Sequence, residues 1–487
     1  MAQNTSLNTP MDPLVITAAL HCELPVDWLK KHNIPVLHGN QCEYWPTSHT
    51  GLIAVITGTG PYNATRSVNA IIQHFSPHFI LNIGTVGHPS RHYPLGSFVT
   101  PTHLSMSNQP DLITDTRLPI DNNPLNIPRH IGGILTSLEQ IDPMANHDYL
   151  DMEAYPQADL CAQHDVHFHL LKYISDYNDT FNKNDFKAQC RSLRTQLITW
   201  FETSLLPPDK NDIGVIIPVH NRADKIRDCV QSVIHQTLPA REIIVVDDGS
   251  SDFPEHALNN LEQPVTVLRS AENHGVSHAR NRGIRQAQSS WLCFLDSDDR
   301  WEPQKLQQQW QFHQSHPFYR ISQTEDLWIR HGRRVNAKKV HQKPLGWVWK
   351  KSLERCLISP SAVMLEKKLL EKTGGFDENL PACEDYDLWL KLSRFHPVGL
   401  TPYPGVTRYG GHSDQLSQRF IAMDRFRVTA LQHALQTETC PKHQSALRKQ
   451  LNKKIAILIK GYHKHQHSEQ ATYYEQLFEQ LNPRQNS

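Results

Sequence analysis

The chain has 487 residues, more than one hydrophobic core usually organises, so its length predicts at least two domains. Its 49 lysine and arginine residues balance 49 aspartate and glutamate residues, so no overall charge draws it to nucleic acid or to an acidic membrane surface. Any anionic ligand must therefore be recognised locally.

Cysteine usage and hydropathy predict a cytoplasmic protein without a transmembrane segment. The nine cysteines occur singly, without a CxxC pair, which favours buried thiols in a reduced compartment over a disulfide framework. No apolar run approaches the roughly 20 residues of a membrane-spanning helix. The N-terminus, MAQNTSLNTPMDPL, lacks the basic start and the long apolar core of a signal peptide.

The N-terminal part of the chain alternates strand and helix patterns. Short apolar runs typical of buried strands are PLVITAA, LIAVITG, HFILNIG and HLLKYIS. An amphipathic helical run follows them, with apolar residues at Phe186, Cys190, Leu193, Leu197 and Trp200. The segment LLPPDKND then reads as a linker, and the strand pattern IGVIIPV starts a second series.

This alternation predicts the α/β fold class, with two α/β domains in series and a helical C-terminal tail. We expect the first domain over residues 1–206, a linker over 207–212, the second domain over 213–414 and a helical extension over 415–487. The extension is rich in glutamine, histidine and lysine and has apolar residues at helical spacing. It is therefore more typical of packing or oligomerisation than of chemistry.

The second series places acidic residues where strands end. The run REIIVVDDGSSD brings Asp247 and Asp248 to the end of one predicted strand, and SWLCFL leads into DSDD, Asp296 to Asp299. In open α/β sheets, ligands lie beyond the carboxyl ends of the strands. A nucleotide is therefore expected at this edge of the sheet.

Three carboxylates, Asp296, Asp298 and Asp299, crowd together after the second of these strands. Like charges a few ångströms apart repel unless a cation or a proton relieves them. Oxygen ligands suit Mg²⁺ or Mn²⁺, which commonly bridges one or two carboxylates and a diphosphate. The alternative is that Asp296 and Asp299 cap the following helix, but one cap needs only one side chain.

Five segments in order resemble the motifs of glycosyltransferase family 2: VIIPVHNRADKIRDCVQSVIHQT, EIIVVDDGSSD, ENHGVSHARNRGI, WLCFLDSDDRW and GGFDENLPACEDYDLWLKL. The resemblance implies the GT-A fold and an inverting, metal-dependent transfer of a sugar from a nucleotide-sugar donor to a hydroxyl acceptor. It implies a glycan or a lipid-linked acceptor, as in the assembly of cell-surface polysaccharide or glycolipid.

The same resemblance implies roles for individual residues. The turn from Pro218 through His220 to Asn221 would hold the base and ribose together with Asp247 and Asp248, although His220 stands where a tyrosine is more usual. Arg280 would flank the diphosphate.

The resemblance also implies the metal ligands and the catalytic base. Asp298 would bind the metal, supported by Asp296 or Asp299. His412 matches a late metal ligand, with plain surface an equal alternative. Asp385 matches the catalytic base, which must take the acceptor's proton during attack. Glu384 or Asp387 could instead be the acid that matters, and Asp385 could be a helix N-cap.

A basic stretch between these motifs carries Trp328, Arg330, Arg333, Arg334, Lys338 and Lys339. It is either a solvated edge or the binding site of an acceptor with negative charge, and the latter leaves peripheral membrane contact open. The sequence does not choose between them.

The N-terminal segments VITAALHCELP, AVITGTGPYNA, LNIGTVGHP, DMEAYPQA and YISDYND resemble the nucleoside phosphorylase superfamily, particularly methylthioadenosine and adenosylhomocysteine nucleosidases. The resemblance implies a purine nucleoside as ligand, with hydrolysis favoured over phosphorolysis. Glu23 would activate water, and Asp176 would protonate or hydrogen-bond the leaving purine. Met152 and Glu153 would line the ribose. Gly84 and Thr85 would approach the ligand closely.

The sequence thus predicts a transferase fused to a nucleosidase-like domain. One alternative is that the N-terminal domain is a catalytically silent nucleoside sensor or scaffold. Another is that the transferase half binds a sugar nucleotide without turning it over. Glu23 and Glu153 could also simply begin helices, and Asp176 could be a turn residue.

Overall fold

The structure, a computed structural model, describes residues 14–32, 34–44, 52–77, 79–88, 94–100, 103–105, 112–113, 130–131, 134–137, 149–151, 153–164, 166–177, 183–204, 211–316, 319–330, 332–335, 342–410, 420, 422–438 and 441–482. The chain forms two compact units, the first over Met1–Pro207 and the second over Pro208–Ser315 and Tyr319–Ser487, with residues 316–318 grouped with the first.

The described residues of the first unit form one mixed sheet and four α-helices. Its strands are β1 Leu14–Ala18, β2 Val36–His38, β3 Leu52–Ile56, β4 Phe79–His88, β5 Phe98–Thr100, β6 His103–Ser105, β7 Leu112–Ile113, β8 His130–Ile131, β9 Ile134–Ser137, β10 Tyr149–Asp151 and β11 His167–Tyr177. Its helices are α1 Val26–Lys31, α2 Pro61–Phe75, α3 Ala154–Gln163 and α4 Lys183–Ser204.

The centre of this sheet is parallel. The strand order is β2-β3-β1-β4-β10-β9-β6-β7, and β11 pairs with both β4 and β5. Strands β1, β3, β4 and β11 run parallel to one another, and their apolar side chains, such as Val15 and Ile53, are fully buried. Runs that are apolar on both faces are what a parallel strand covered on both sides requires.

Among its described residues, the second unit has a nine-stranded sheet with helices between its strands and three further helices after the last strand. Its strands are β12 Ile213–Val219, β13 Glu242–Asp247, β14 Thr266–Arg269, β15 Trp291–Phe294, β16 Arg300–Trp301, β17 Ile321–Arg330, β18 Arg333–Val335, β19 Val363–Glu366 and β20 Val398–Gly410. Its helices are α5 Ala223–Ile234, α6 Val276–Gln286, α7 Lys305–Ser315, α8 Trp349–Ser352, α9 Lys367–Thr373, α10 Glu384–Ser393, α11 Asp424–Thr437, α12 Pro441–Lys464 and α13 Ser468–Leu481.

The strand order β14-β13-β12-β15-β19-β17-β20-β16 puts four parallel strands at one side of this sheet. Strands β12, β13 and β15 therefore end at the same edge, which the segments after Val219, Asp247 and Phe294 line. We call this edge the rim. The described part of the basic stretch lies in the hairpin β17–β18, where Arg333, Arg334 and Val335 are exposed, and Lys338 and Lys339 lie outside the described residues.

The predicted fold class, two α/β series and a helical C-terminal part, is confirmed. Within the described ranges, the structure contains no helix with the length and apolarity needed to span a membrane. The long parallel pair β17 and β20 was not foreseen from sequence. Its strands are less uniformly apolar than β12, since Asp326, Arg330 and Arg408 lie in them.

The turn after β13 requires glycine. Gly249 has φ +71°, and a Cβ there would lie 2.5 Å from the backbone carbonyl carbon of Glu272. Gly332, in the β17–β18 turn, has a similar φ of +73°, but a Cβ added there would meet no described neighbour within 4 Å. Alanine at position 332 would therefore add backbone strain alone, whereas alanine at position 249 would add backbone strain and a steric clash.

We expect Gly332→Ala to cost about 1–2 kcal/mol of unfolding free energy, the usual penalty of a left-handed alanine. Gly249→Ala should cost a further 1–3 kcal/mol or so, because its methyl group displaces backbone. Urea unfolding followed by tryptophan fluorescence measures both variants. Equal losses of unfolding free energy in the two variants would contradict the close approach of Gly249 to the backbone of Glu272.

Candidate functional site

The rim begins with the turn after β12, which is tied to the turn after β13. His220 Nδ1 lies 2.9 Å from the carbonyl oxygen of Asp248. The Asn221 amide donates to Ser250 Oγ at 2.9 Å, and the Asn221 Oδ1 accepts from the Ser251 amide at 2.8 Å. Asn221 has φ +51°, a conformation that asparagine tolerates. His220 and Asn221 are exposed, so this turn is free to contact a ligand.

The two aspartates after β13 differ in environment. Asp247 is fully buried, where its Oδ1 accepts from the Ser250 amide at 2.9 Å and its Oδ2 lies 3.2 Å from Arg269. Asp248 accepts from the backbone amides of His274 and Gly275 at 3.1 and 2.7 Å, and so fixes the start of α6. Asp247 therefore shapes the turn from inside, and Asp248 links that turn to α6.

Each carboxylate of the DSDD segment has an arginine partner. Asp296 pairs with Arg280 at 2.8 Å, Asp298 with Arg222 at 2.9 Å and Asp299 with Arg408 at 3.5 Å. The positive charge that the sequence required is thus supplied, at least in part, by the protein itself. We call these three aspartates the acidic segment.

Asp296 and Asp299 of the acidic segment have pKa values shifted in opposite directions. Burial disfavours the charged form of Asp296, but the Arg280 guanidinium outweighs it and holds the pKa of Asp296 below its usual range. Burial raises the pKa of Asp299 to about 7, against the opposing effect of Arg408. Asp299 also accepts from Ser361 Oγ at 2.7 Å and is only 4% exposed. It faces the interior more than the rim.

The described residues contain no group of three or more histidine, cysteine, aspartate and glutamate side chains arranged to hold a metal. A divalent ion at a diphosphate needs only one or two protein carboxylates, because the phosphates supply other ligands. In the described part of the chain, Asp296 and Asp298 each keep one carboxylate oxygen outside their arginine pairs, and both side chains are partly exposed. The donor set therefore fits a phosphate-bound Mg²⁺ or Mn²⁺. His412 lies outside the described residues.

Arg280 joins the acidic segment to the start of α10. Its guanidinium is 4% exposed and lies 2.8 Å from Asp296 and 2.7 Å from Glu384. It also lies 5.0 Å from the ring centre of Phe376. Burial, together with the neighbouring Asp385 carboxylate, raises the pKa of Glu384, and Arg280 opposes that rise. A single buried cation thus compensates two carboxylates from distant parts of the sequence.

Asp385, next to Glu384, is partly exposed in the first turn of α10. Its Oδ1 accepts from the Tyr386 amide at 2.6 Å. The Cys356 thiol lies 3.3 Å from its Oδ2 and 3.2 Å from the carbonyl oxygen of Ile358. Burial raises the pKa of this thiol well above its usual range, so it remains a donor. The N-cap of α10 is Cys383, so Asp385 does not cap the helix.

The first unit contains a second buried charged cluster. Glu23 is 3% exposed, and its Oε1 accepts from the Thr85 amide and hydroxyl, each at 2.8 Å. Its Oε2 accepts from the Leu20 amide at 2.8 Å. Burial raises the pKa of Glu23 despite these bonds. Thr85 follows Gly84, where a Cβ would lie 3.2 Å from Lys172 Nζ and 3.4 Å from Glu23 Oε1.

Lys172 and Asp151 complete this cluster. Their side chains, each 3% exposed, form an ion pair at 2.7 Å. Asp151 also accepts from the Glu153 and Ala154 amides and so starts α3, which frees the Glu153 carboxylate to accept from the Gly60 amide at 2.7 Å. Burial, then the Asp151 charge, raises the pKa of Glu153 to about 7. Glu153 therefore does not cap α3 with its side chain.

Asp176 stands apart from these contacts. It lies beside a bulge near the end of β11, opposite Gly87 of β4, and its Oδ1 accepts from Ser175 Oγ at 2.5 Å. It is partly exposed. Met152 lies outside the described residues.

Parts of this chain are similar to known proteins. The family model described as glycosyl transferase family 2 matches residues 214–371. The glycosyltransferase TuaG of Bacillus subtilis, provisionally assigned to teichuronic acid biosynthesis, is 31% identical over 195 residues, which are 39% of this chain and 74% of TuaG. The chain belongs to glycosyl transferase family 2.

Two solved structures are similar to parts of the chain. The S. aureus TarS fragment 1–349 in complex with UDP-GlcNAc has a TM-score of 0.47 and 19% identity, and the match covers 56% of this chain and 82% of TarS. The Campylobacter jejuni 5'-methylthioadenosine/S-adenosyl homocysteine nucleosidase has a TM-score of 0.32 and 18% identity, and the match covers 40% of this chain and 99% of the nucleosidase. The family assignment rests on the sequence relative. The family model matches within the second unit, here called the family 2 unit.

Sequence reasoning missed the basic partners of both clusters. Arg222 and Arg408, which pair with the acidic segment, come from α5's N-cap and from β20. Lys172 and Asp151 were not singled out in the first unit. A lysine inside the apolar run HLLKYIS was an available signal, because a buried amine needs a partner. No sequence pattern indicates which residue that partner is.

We expect Arg280→Met in the family 2 unit to lower the unfolding free energy by about 3–5 kcal/mol, because Glu384 and Asp296 lose their shared cation. The matched control is Arg285→Met on the same helix, whose guanidinium is 62% exposed and lies 4.0 Å from Glu378. The control should lose under about 1 kcal/mol. Urea unfolding measures both, and equal small losses would contradict the buried bridge.

Proposed function

We propose that the family 2 unit is a metal-dependent, inverting glycosyltransferase that uses a nucleotide-sugar donor and a hydroxyl acceptor on a glycan or a lipid-linked sugar. The observation that carries this proposal is the Arg280 bridge between Asp296 and Glu384. It holds the acidic segment, where a diphosphate is expected, beside Asp385, the candidate base. Transfer needs both groups at one reacting carbon.

The donor would lie along the rim. His220 and Asn221 would contact the base and ribose, since both are exposed on the turn after β12. Asp248 would fix this part of the site indirectly, because it binds the amides at the start of α6. The N-terminus of α6, an eleven-residue helix, carries a partial positive charge on its first backbone amides, which would favour a diphosphate there.

Asp298 would hold the metal, with Asp296 beside it. When bound, a divalent ion neutralises the charge that grows on the leaving diphosphate. Arg222 would keep the Asp298 side chain in place, and Arg280 does the same for Asp296. Asp299 supports the segment through Ser361 and Arg408 rather than from the ligand side.

Asp385 would accept the proton of the attacking hydroxyl. It is the less buried carboxylate of the Glu384–Asp385 pair, and Glu384 is already committed to Arg280. The Cys356 thiol supplies a neutral donor to Asp385 Oδ2 and so orients the carboxylate without adding charge. Attack on the face opposite the diphosphate would invert the anomeric centre.

Two variants separate donor binding from transfer. A panel of nucleotide sugars is screened by thermal shift with and without Mn²⁺, and transfer is followed as release of nucleoside diphosphate with glycan and lipid-linked acceptors. We expect Asp298→Ala to lose the Mn²⁺-dependent shift. Asp385→Asn should keep that shift within about twofold in apparent Kd while transfer falls by at least about 100-fold, the scale of lost general-base catalysis.

The matched control is Asp228→Asn, an acidic residue of α5 whose side chain is 51% exposed. It should change neither readout. An unchanged Mn²⁺-dependent shift in Asp298→Ala would reject the metal assignment. A comparable loss of donor affinity in Asp385→Asn would reject its assignment as base. Donor binding without transfer in the wild type would favour the sugar-nucleotide-binding alternative.

A second function is favoured by the buried cluster of the first unit. The sequence places Glu23, Thr85 and Glu153 at a nucleoside pocket. The Thr85 hydroxyl donates to Glu23, and the charge of Lys172 acts on both Glu23 and Glu153. We infer that this unit binds a purine nucleoside and cleaves its glycosidic bond, with Glu23 acting on water and Asp176 on the base. The silent sensor or scaffold remains the alternative, because every oxygen of Glu23 already accepts a hydrogen bond.

Free purine released from methylthioadenosine, adenosylhomocysteine and adenosine tests this inference. We expect release by the wild type and a fall of at least about 100-fold in Glu23→Gln and in Asp176→Asn. Asp159→Asn is the control, since this aspartate lies on α3 with an exposed hydrogen bond to Gln163 at 2.9 Å. Binding of these nucleosides without purine release would support the sensor instead.

A further inference from the structure

Two cysteines far apart in sequence meet in the first unit. Cys22 lies in the short 3-10 turn His21–Glu23 and is half-buried. Cys190 lies on α4, is 1% exposed, and its helix packs against that turn. The two thiols share a hydrogen bond. Among the described residues, Cys22 and Cys190 are both free thiols.

Two neighbouring elements contact α4, the helix that carries Cys190. The Tyr173 hydroxyl of β11 donates to Ser192 Oγ at 2.8 Å. From α1, Trp28 Nε1 donates to Glu202 at 3.3 Å, and its ring lies 5.5 Å from that of Phe201. Contacts from β11 and from α1 thus fix the helix that carries Cys190, and the contact with Cys22 is a property of the packed unit.

The pair also differs chemically from other buried cysteines. The hydrogen bond from Cys190 lowers the pKa of Cys22 to about 7, with a smaller contribution from Arg194 and against the effects of burial and of Glu23. Burial alone raises the pKa of the Cys161 thiol in the same unit. Thiolate, not thiol, is the nucleophile in disulfide exchange, so Cys22 is the reactive member.

We propose that Cys22 and Cys190 form a reversible disulfide that clamps the Glu23-bearing turn to α4 when a low-molecular-weight disulfide such as oxidised glutathione is present. The Cys22 thiolate attacks one glutathione sulfur, the glutathione S–S bond breaks, and one glutathione leaves and takes up a proton. The Cys190 sulfur then attacks Cys22 in the mixed disulfide, and the second glutathione leaves with the Cys190 proton. Two protein thiols are oxidised and one glutathione disulfide is reduced to two thiols.

The clamp would act on the neighbouring residue. Glu23 follows Cys22 directly, and its carboxylate reaches both the Leu20 amide of its own turn and Thr85 of β4. A covalent bond from Cys22 to α4 restricts this turn between the helix and the sheet. The inference concerns the thiols themselves and does not depend on the proposed nucleosidase activity.

Peptide mapping of the full-length wild type tests the proposal. The native protein is equilibrated with reduced and oxidised glutathione at a series of ratios, quenched with acid, alkylated with N-ethylmaleimide under denaturing conditions and digested. We expect a linked peptide pair containing Cys22 and Cys190 under oxidising ratios, reversed by dithiothreitol. The alkylation of Cys161 should not change.

Three cysteine variants, and the peptides detected in each, test whether Cys22 and Cys190 form the disulfide. Cys22→Ser and Cys190→Ala should each abolish the linked pair, whereas Cys42→Ser, a half-buried cysteine of the same unit, should leave it intact. Full alkylation of Cys22 and Cys190 at every ratio overturns the proposal. A glutathione adduct on Cys22 without the link to Cys190 also overturns it. The wild-type map decides the question even where a variant fails to fold.

Discussion

The buried guanidinium of Arg280 is the constraint on which the family 2 unit depends. A cation removed from water is tolerated only where opposite charges surround it, and Asp296 and Glu384 supply these charges at 2.8 and 2.7 Å. Neither carboxylate would be stable at its depth without the arginine. The three groups fix one another, and in doing so they fix the distance between the end of β15 and the start of α10. The candidate donor site and the candidate base inherit their relative position from this bridge.

The charges around the acidic segment explain why it does not depend on a metal to exist. Arg222, Arg280 and Arg408 each neutralise one aspartate, so the segment folds with its repulsion already relieved. What remains for a ligand is the outward oxygen of Asp296 and of Asp298. As proposed, such a site would bind a divalent ion weakly alone and more strongly with a diphosphate, because the phosphate oxygens would complete the coordination. Metal and donor would therefore bind together.

The first unit also contains a buried cation, a lysine, that is compensated by a nearby carboxylate. Lys172 is buried in β11 and is compensated by Asp151, which at the same time starts α3. Glu153 and Glu23 lie within the field of this pair, and burial raises the pKa of both. Charged groups held at this depth are costly, which is typical of sites that handle charge in a ligand. The Cys22–Cys190 contact borders the same cluster through Glu23.

The α/β class, the succession along the chain of the strands that end at the rim, and the acidic residues that follow them could be predicted from the sequence. These features are local: a buried parallel strand must be apolar along its length, and the residue after it must lie at the sheet edge. Which side chains meet there depends on tertiary packing. Arg222, Arg408 and Lys172 come from elements distant in sequence, and Cys22 finds Cys190 only because α4 packs on its turn. The spacing of apolar residues along a strand indicates which residues are buried. The sequence around a charged residue or a thiol does not indicate which distant residue it will contact.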